Sequence, residues 1–217
     1  MSLDLNEVAR FFPLLLIGLK TTIIISAISI AGSVVIGILA GLMRVSGNKF
    51  LRFTSIVYIE WIRGTPLMQQ LLFIYFGLGM IIDISAMFAG VLGLSIFSGA
   101  YIAEIVRAGI ESIPKGQTEA ALSLGMNYMQ TMRYIILPQA IRVVLPPICS
   151  QFIYLIKDSS LVSVLSITEL TYMSRKIVGV NMAPFEIYLT VGLMYLFITA
   201  TLSQLIGKLE RRLKTNA

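Results

Sequence analysis

Long runs of apolar residues, separated by short polar stretches, dominate the pattern along the chain. Residues 21–43 are the clearest run, with 23 consecutive positions that carry no charge. A helix of about 20 such residues crosses the hydrocarbon layer of a bilayer. The pattern predicts an all-α membrane protein, a single transmembrane domain over residues 1–217. Its five transmembrane helices are expected at about 14–43, 53–78, 87–107, 141–165 and 185–207.

Basic residues are distributed unevenly between the segments that join these helices. One set contains eleven: Arg44, Lys49, Arg52, Arg107, Lys115, Arg133, Arg142, Lys208, Arg211, Arg212 and Lys214. The other set contains four: Arg10, Lys20, Arg175 and Lys176. Because Lys and Arg accumulate in cytoplasmic loops, we expect the N-terminus outside, the C-terminus in the cytoplasm and segment 108–140 in the cytoplasm.

Composition narrows the functional classes. With 57% hydrophobic and 13% charged residues, the chain is too apolar for an ordinary soluble domain. The formal net charge of +6 comes from basic residues that cluster between the apolar runs, as membrane topology requires, so it does not indicate nucleic-acid binding. With no histidine and only Cys149, the usual zinc-ligand sets and histidine-dependent nucleophiles are missing. We therefore predict no metal site and no catalytic residue.

Small residues recur at the spacing that lets transmembrane helices approach closely. Gly37 and Gly41 form one such pair on the first predicted span, and Ser95, Gly99 and Ala103 continue the pattern on the third. These positions are expected to be helix–helix contacts.

The segment between the third and fourth spans contains residues that typically start and end helices. Thr118 can cap a helix whose first turn contains Glu119, and Gly125 permits a tight turn. A second short helix over 126–134 is expected to stop ahead of Pro138. On physical grounds alone, a plain structural connector remains an equal alternative.

The same segment carries a longer motif. Glu119-Ala120-Ala121 is followed after three residues by Gly125, and after nine more by Ile135, one further residue and Leu137-Pro138. This pattern resembles the permease signature of ABC importers. The resemblance implies that the segment docks on an ATP-binding subunit and transmits its closure to the membrane helices. The implied coupling contacts are Glu119, Ala120, Ala121, Gly125, Met126 and Asn127.

Four further stretches look like the polar amino acid subfamily of these permeases: Arg63-Gly64-Thr65-Pro66-Leu67, residues 101–117, Leu137-Pro138-Gln139-Ala140 and Lys157-Asp158-Ser159-Ser160-Leu161. The resemblance implies a multi-pass protein of the bacterial inner membrane that works with a second permease subunit, identical or not. Its other implied partners are two ATPase subunits, which hold ATP and Mg, an extracytoplasmic amino-acid-binding protein and a polar amino acid. This chain has no phosphate-binding Gly-x4-Gly-Lys-Ser/Thr loop, so no cofactor is expected on it.

Four charges fall inside predicted spans: Glu60, Arg63, Lys157 and Asp158. Each costs roughly 2.5–3.5 kcal/mol near the bilayer centre, so these side chains must face protein or water. One interpretation is purely structural, because Glu60 and Arg63 are three residues apart and can pair on one helix face. Glu104 and Arg107 have the same spacing and are predicted to be such a structural pair.

The other interpretation is a substrate site. Gly64 and Pro66 should interrupt the second span and free backbone polar groups, as often occurs at transporter sites. Arg63, with backbone amides near Gly64 and Thr65, would then hold a substrate carboxylate, while Asp158 and Glu60 receive an amino group or a cationic side chain. Three more polar side chains complete the predicted set: Gln70, Lys157 and Ser159.

A carrier or channel driven by an ion gradient is the alternative function, since it also needs intramembrane charges. Such proteins often contain inverted repeats, which the sequence does not display, and they need no docking segment. The sequence therefore favours the ATP-coupled importer.

Overall fold

The structure, a computed structural model, describes residues 5–215, and its regular elements are all helical over that range. The α-helices are α1 (Leu5–Arg44), α2 (Lys49–Gly64), α3 (Leu67–Leu72), α4 (Ala86–Glu111), α5 (Lys115–Ser123), α6 (Tyr128–Thr131), α7 (Leu137–Asp158), α8 (Leu170–Asn181) and α9 (Pro184–Thr215). Two π-helical turns, Phe73–Gly77 and Met132–Ile136, and two 3₁₀ segments, Leu78–Met80 and Ser159–Leu165, extend or join them.

Four helical stretches within residues 5–215 are long and apolar enough to cross a membrane: Glu7–Arg44, Ala86–Glu111, Tyr128–Leu165 and Pro184–Lys208. They contain the predicted first, third, fourth and fifth spans and extend beyond them. The chain is thus an all-helical multi-pass membrane protein. The predicted second span is instead divided into α2 and the shorter apolar stretch Leu67–Met80.

The division between α2 and α3 has a local cause. Thr65 is extended, with φ −122° and ψ 146°, because the ring of Pro66 disfavours the helical conformation of the residue before it. Proline also has no N–H for the helical hydrogen-bond ladder. The interruption expected at Gly64 and Pro66 is confirmed.

Helices α1 and α4 pack at very short distance. A Cβ added at Gly37 would lie 2.5 Å from the Ile102 side chain and 2.9 Å from the carbonyl oxygen of Gly99. At Gly41 it would lie 2.8 Å from the carbonyl oxygen of Ala103. The predicted small-residue contact between these spans is confirmed, and it requires glycine on the α1 side.

Helix α5 begins earlier than predicted. Pro114 precedes it, and its first turn closes with the Gln117 N–H donating to the Pro114 carbonyl at 3.0 Å. Thr118 and Glu119 therefore lie within the helix, and the prediction that they form its cap and first turn is wrong. Gly125 follows the helix with φ +81°, a conformation that glycine adopts without steric cost, so the predicted turn is confirmed.

The predicted stop ahead of Pro138 is also wrong. Asn127 caps α6 in a reciprocal capping box with Gln130, and the helix continues through the π turn Met132–Ile136 into α7. The wider π turn accommodates the proline, because the Leu137 N–H reaches back to the Met132 carbonyl just before the ring. A single helical rod thus joins this segment to the fourth span.

Candidate functional site

The side chain of Gln70 lies against the break between α2 and α3. Its Nε2 donates to the carbonyl oxygen of Ile62 and to Oγ1 of Thr65, both at 2.8 Å, and to the Thr65 carbonyl at 3.2 Å. The Thr65 hydroxyl in turn donates to the Trp61 carbonyl at 2.9 Å. Gln70 therefore supplies donors to carbonyls that the interrupted helix leaves open, while its own Oε1 is buried without a hydrogen-bond partner.

Arg63 lies at the end of α2, just before the break. Its guanidinium stacks over the ring of Tyr101 on α4, with 5.2 Å between the guanidinium carbon and the ring centroid. Glu60, Arg63 and Gly64 are all exposed. Among the ion pairs of the described residues, none joins Glu60 to Arg63. Within this chain, the structural pairing considered from the sequence does not form.

Lys157 and Asp158, at the end of α7, lie in different surroundings. Lys157 is exposed, with its Nζ 4.6 Å from the centroid of the Tyr154 ring. The Asp158 carboxylate is half-buried and makes no hydrogen bond or ion pair with any residue in the described part of the chain. Ser159 is fully buried, and its hydroxyl donates to the Ile156 carbonyl at 2.8 Å. Its hydroxyl proton is thus already used within the helix.

Lys157 also lines a separate cavity of about 330 Å³ between α7, α8 and α9. Tyr188 and Tyr195 of α9 form the opposite wall. Lys157 therefore faces this cavity, while Asp158 makes no contact with the lysine as an ion pair.

One apolar cluster joins α3 to the 3₁₀ segment Ser159–Leu165, the elements that follow α2 and α7 in the chain. Leu67 lies four residues after Arg63, Val162 lies four residues after Asp158, and both are buried in this cluster. Its buried members are Ile25, Leu67, Leu71, Ile74, Ala89, Leu94, Val162, Leu165 and Ile167. A guanidinium and a carboxylate, neither in an ion pair within the described residues, thus each lie four residues before a buried member of the same cluster.

Glu169 is a buried carboxylate that the sequence analysis did not single out as functional. It caps α8, accepting from the backbone N–H of Tyr172 at 2.6 Å and of Thr171 at 2.9 Å. The Tyr195 hydroxyl of α9 also donates to it at 3.0 Å. Burial raises the pKa of Glu169, and these three donors oppose the shift. The preference of acidic residues for helix starts was visible in the sequence, but its contact with Tyr195 was not.

Helix α8 is also fixed to α1. The Leu170 N–H donates to Oγ1 of Thr22 at 3.1 Å, and an added Cβ at Gly18 would lie 3.0 Å from the Leu170 Cα. Together with the Glu169–Tyr195 bond, this contact joins three helices in a rigid node.

The predicted pair of Glu104 and Arg107 is confirmed. Arg107 Nε donates to Glu104 Oε1 at 3.0 Å, and the same guanidinium also pairs with Glu111 one turn further along α4. Glu104 and Arg107 therefore form their ion pairs within α4.

The segment from α5 to α6 presents an unusually apolar surface. Leu124 and Met129 are 83% and 70% exposed. Of the six predicted coupling residues, Glu119, Ala120, Gly125 and Asn127 are exposed, Met126 is half-buried and Ala121 packs inward. Large exposed apolar side chains rimmed by polar residues are typical of a protein–protein contact.

A family model described as the binding-protein-dependent transport system inner membrane component matches residues 33–215, which include every predicted site and coupling residue. The chain belongs to this family. Members of the family are permease subunits, and the systems they serve include ATPase subunits and a substrate-binding protein. The chain is thus the translocation subunit of an importer of the ABC class, and the alternative of a carrier driven by an ion gradient is set aside.

Relatives of this permease extend over its whole length. The glutamine transport system permease protein GlnP of Escherichia coli K12 is 44% identical over 217 residues, covering 99% of each chain. The probable glutamine ABC transporter permease protein GlnM of Bacillus subtilis is 40% identical over 206 residues, covering 94% of each. A crystal structure of an amino acid ABC transporter with histidines matches with a TM-score of 0.92 and 41% identity, covering 98% of this chain and 100% of that one.

Proposed function

We propose that this permease forms one half of the path by which an ATP-binding-cassette importer carries polar amino acids across the bacterial inner membrane. Two relatives are named for glutamine, and the similar solved transporter is described with histidines. The observation that carries the cargo assignment is the half-buried Asp158, which has no ion-pair partner among the described residues. Asp158 and Arg63 each lie four residues before a buried member of the same apolar cluster.

The membrane arrangement of the proposal has five spans. Helix α2, the break and the stretch to Met80 together form the second span, which crosses as two pieces. Irregular backbone at membrane depth is tolerated where protein or a water-filled cavity hydrogen-bonds its polar groups. Gln70 provides some of these hydrogen bonds. The N-terminus is outside and the C-terminus is in the cytoplasm, as the distribution of basic residues favours.

In the proposed site, the amino acid lies between the ends of α2 and α7. Arg63, with backbone groups near Gly64 and Thr65, binds the substrate carboxylate, and Asp158 receives its ammonium group. Glu60 adds a second exposed carboxylate. Because Lys157 faces the cavity between α7 and α9, the site has one cation against two carboxylates, which disfavours acidic substrates and suits neutral or basic ones.

The path needs a second permease subunit, identical or related, because charges exposed at membrane depth must face protein or water. The α5–α6 segment docks its apolar surface on one of two ATPase subunits, where ATP and Mg are bound. An extracytoplasmic binding protein delivers the amino acid. Closure of the ATPases moves α5, and the continuous rod from α6 through α7 carries that movement to Asp158.

Uptake of labelled glutamine, histidine and glutamate into liposomes tests the proposal. The liposomes contain the permease with its ATPase subunits, and the binding protein is added outside. We expect uptake of glutamine or histidine only with ATP inside and binding protein outside, and little uptake of glutamate. Uptake without ATP, or preference for glutamate, would contradict the proposal.

A further inference from the structure

A cavity of about 520 Å³ lies at one end of the helix bundle, separate from the proposed substrate site. Three membrane-spanning stretches meet there, because Arg44 ends α1, Glu111 ends α4 and Tyr128 begins the rod that continues into α7. Lys115 of α5 and Arg52 of α2 complete its polar wall. The cavity therefore connects fixed helix ends with the segment that is proposed to couple to the ATPase.

The charges of this cavity are strongly unbalanced. Its described lining contains three cations, Arg44, Arg52 and Lys115, and one carboxylate, Glu111, which already pairs with Arg107. Arg52 and Lys115 take part in none of the ion pairs that the structure records. Two guanidinium groups and an ammonium around an open space form a ready site for an anion with several acceptor oxygens.

Arg44 provides a second, independent observation that points to a ligand. Its Nε is buried and has no hydrogen-bond partner. A buried donor of a charged group is costly when it is left unsatisfied. Glu104, a carboxylate close enough to interact electrostatically with Arg44, is itself held by Arg107. An acceptor from outside the chain would satisfy this donor.

Apart from Thr118, the rest of the lining is apolar. Val45, Ile110, Ile113, Met132 and Ile136 form the other wall. Free phosphate would leave this wall without a partner, whereas a phosphate ester attached to a hydrocarbon body would contact both walls. Basic pockets between transmembrane helices on the cytoplasmic side are suited to anionic lipid headgroups.

We propose that this cavity binds the phosphate group of an anionic phospholipid from the cytoplasmic leaflet. The leaflet rests on the orientation given under the proposed function. The bound phosphate bridges Lys115 of α5 to Arg44 and Arg52 at the adjoining ends of α1 and α2. Occupancy thereby restrains the coupling segment, and anionic lipid tightens the link between ATP hydrolysis and uptake.

Retention of lipid by the assembled transporter tests this site. The permease–ATPase complex is placed in nanodiscs of phosphatidylcholine with one fifth phosphatidylglycerol, released by detergent and weighed by native mass spectrometry. We expect wild type to keep phosphatidylglycerol, and the double variant Arg44→Gln/Arg52→Gln to keep at least tenfold less. The control Lys49→Gln/Lys208→Gln removes the same charge from positions outside the cavity lining and should match wild type. Equal retention by both double variants would overturn the proposal.

Two further arms separate other occupants. In phosphatidylcholine alone, a stabilisation by inorganic phosphate that needs Arg44 and Arg52, with no lipid retained, would overturn the lipid assignment in favour of free phosphate. Loss of ATPase subunits from the double variant, with no lipid retained by wild type, would overturn it in favour of an acidic segment of the ATPase. If the double variant does not fold, the single variant Arg52→Gln keeps the test decisive, because Arg52 is exposed. We expect this variant to lose part of the retained lipid. Because lipid retention does not depend on transport, failure of the uptake experiment would leave this result standing.

Discussion

The contact between α1 and α4 differs from the region where α2 and α7 end in how polar and steric requirements are met. The first is closed within the chain: Gly37 and Gly41 contact the backbone of α4 through its small residues. At the second, Arg63 has only an aromatic contact and Asp158 has no ion-pair partner within the described residues. The comparison indicates that α1 and α4 form the scaffold, while the ends of α2 and α7 require something outside this chain.

The largest expected effect is at the scaffold. Gly37→Leu would place its Cβ 2.5 Å from Ile102 and force α1 from α4. Overpacking of this kind costs about 1–3 kcal/mol or more when backbone must move. We expect loss of monodisperse permease in size-exclusion chromatography. Gly207→Leu, where an added Cβ meets nothing within 4 Å, should behave as wild type. If both variants elute alike, α1 and α4 are not the scaffold.

The second effect concerns the link between the coupling segment and transport. Gly125→Val puts a β-branched residue at φ +81°, which costs about 1–3 kcal/mol of backbone strain and displaces the exposed surface after α5. We expect severalfold less uptake per ATP hydrolysed, with assembly retained. Asn tolerates this conformation, so Gly125→Asn should restore most of the coupling. Unchanged coupling in the valine variant would contradict the docking role.

The third effect tests whether the break in the second span is built into the fold. Gln70→Leu removes the donor to the Ile62 and Thr65 carbonyls, and we expect a loss of about 1–3 kcal/mol of stability. The exposed neighbour Gln69 provides a matched control, since Gln69→Leu removes the same group without these bonds. Thermal unfolding in detergent measures the stability of both variants. Equal melting temperatures would mean that water, and not Gln70, hydrogen-bonds the carbonyls at the break.

The smallest effect is expected at the node of α8 and α9. Tyr195→Phe removes one donor to Glu169 but leaves the two backbone bonds, so the loss should be about 1 kcal/mol. Tyr188→Phe removes a hydroxyl from an exposed position of the same helix and should change nothing. A drop in melting temperature for Tyr188→Phe equal to that for Tyr195→Phe would show that the node is not specific.

The features that the sequence predicted correctly are local or periodic. Four of the predicted spans follow from apolar length, and the interruption at Gly64 and Pro66 and the turn at Gly125 follow from the conformational limits of single residues. The Glu169–Tyr195 bond could not be predicted, because it joins residues 26 positions apart on different helices. The predicted stop before Pro138 was wrong, since a π turn absorbs a proline that would otherwise end the helix.

Gln70 shows that a contact can go unforeseen even at a residue that the sequence singles out. It is one of the predicted substrate ligands, and in the structure its amide nitrogen donates to the backbone and to Thr65 at the break. For Ser159, the burial that fixes its hydroxyl on Ile156 depends on the packing of several helices. Hydrogen bonds of this kind depend on three-dimensional contacts that residue type and spacing do not specify.

The central claim is that Asp158, which has no ion-pair partner among the described residues, binds the transported amino acid. Asp158→Asn keeps the shape of the side chain and removes its charge. In reconstituted liposomes, ATP hydrolysis stimulated by the binding protein and uptake of labelled glutamine are measured on the same preparation. We predict at least tenfold less uptake per ATP hydrolysed, with the complex intact. Unchanged uptake per ATP, or loss of uptake only because the complex dissociates, would contradict the claim.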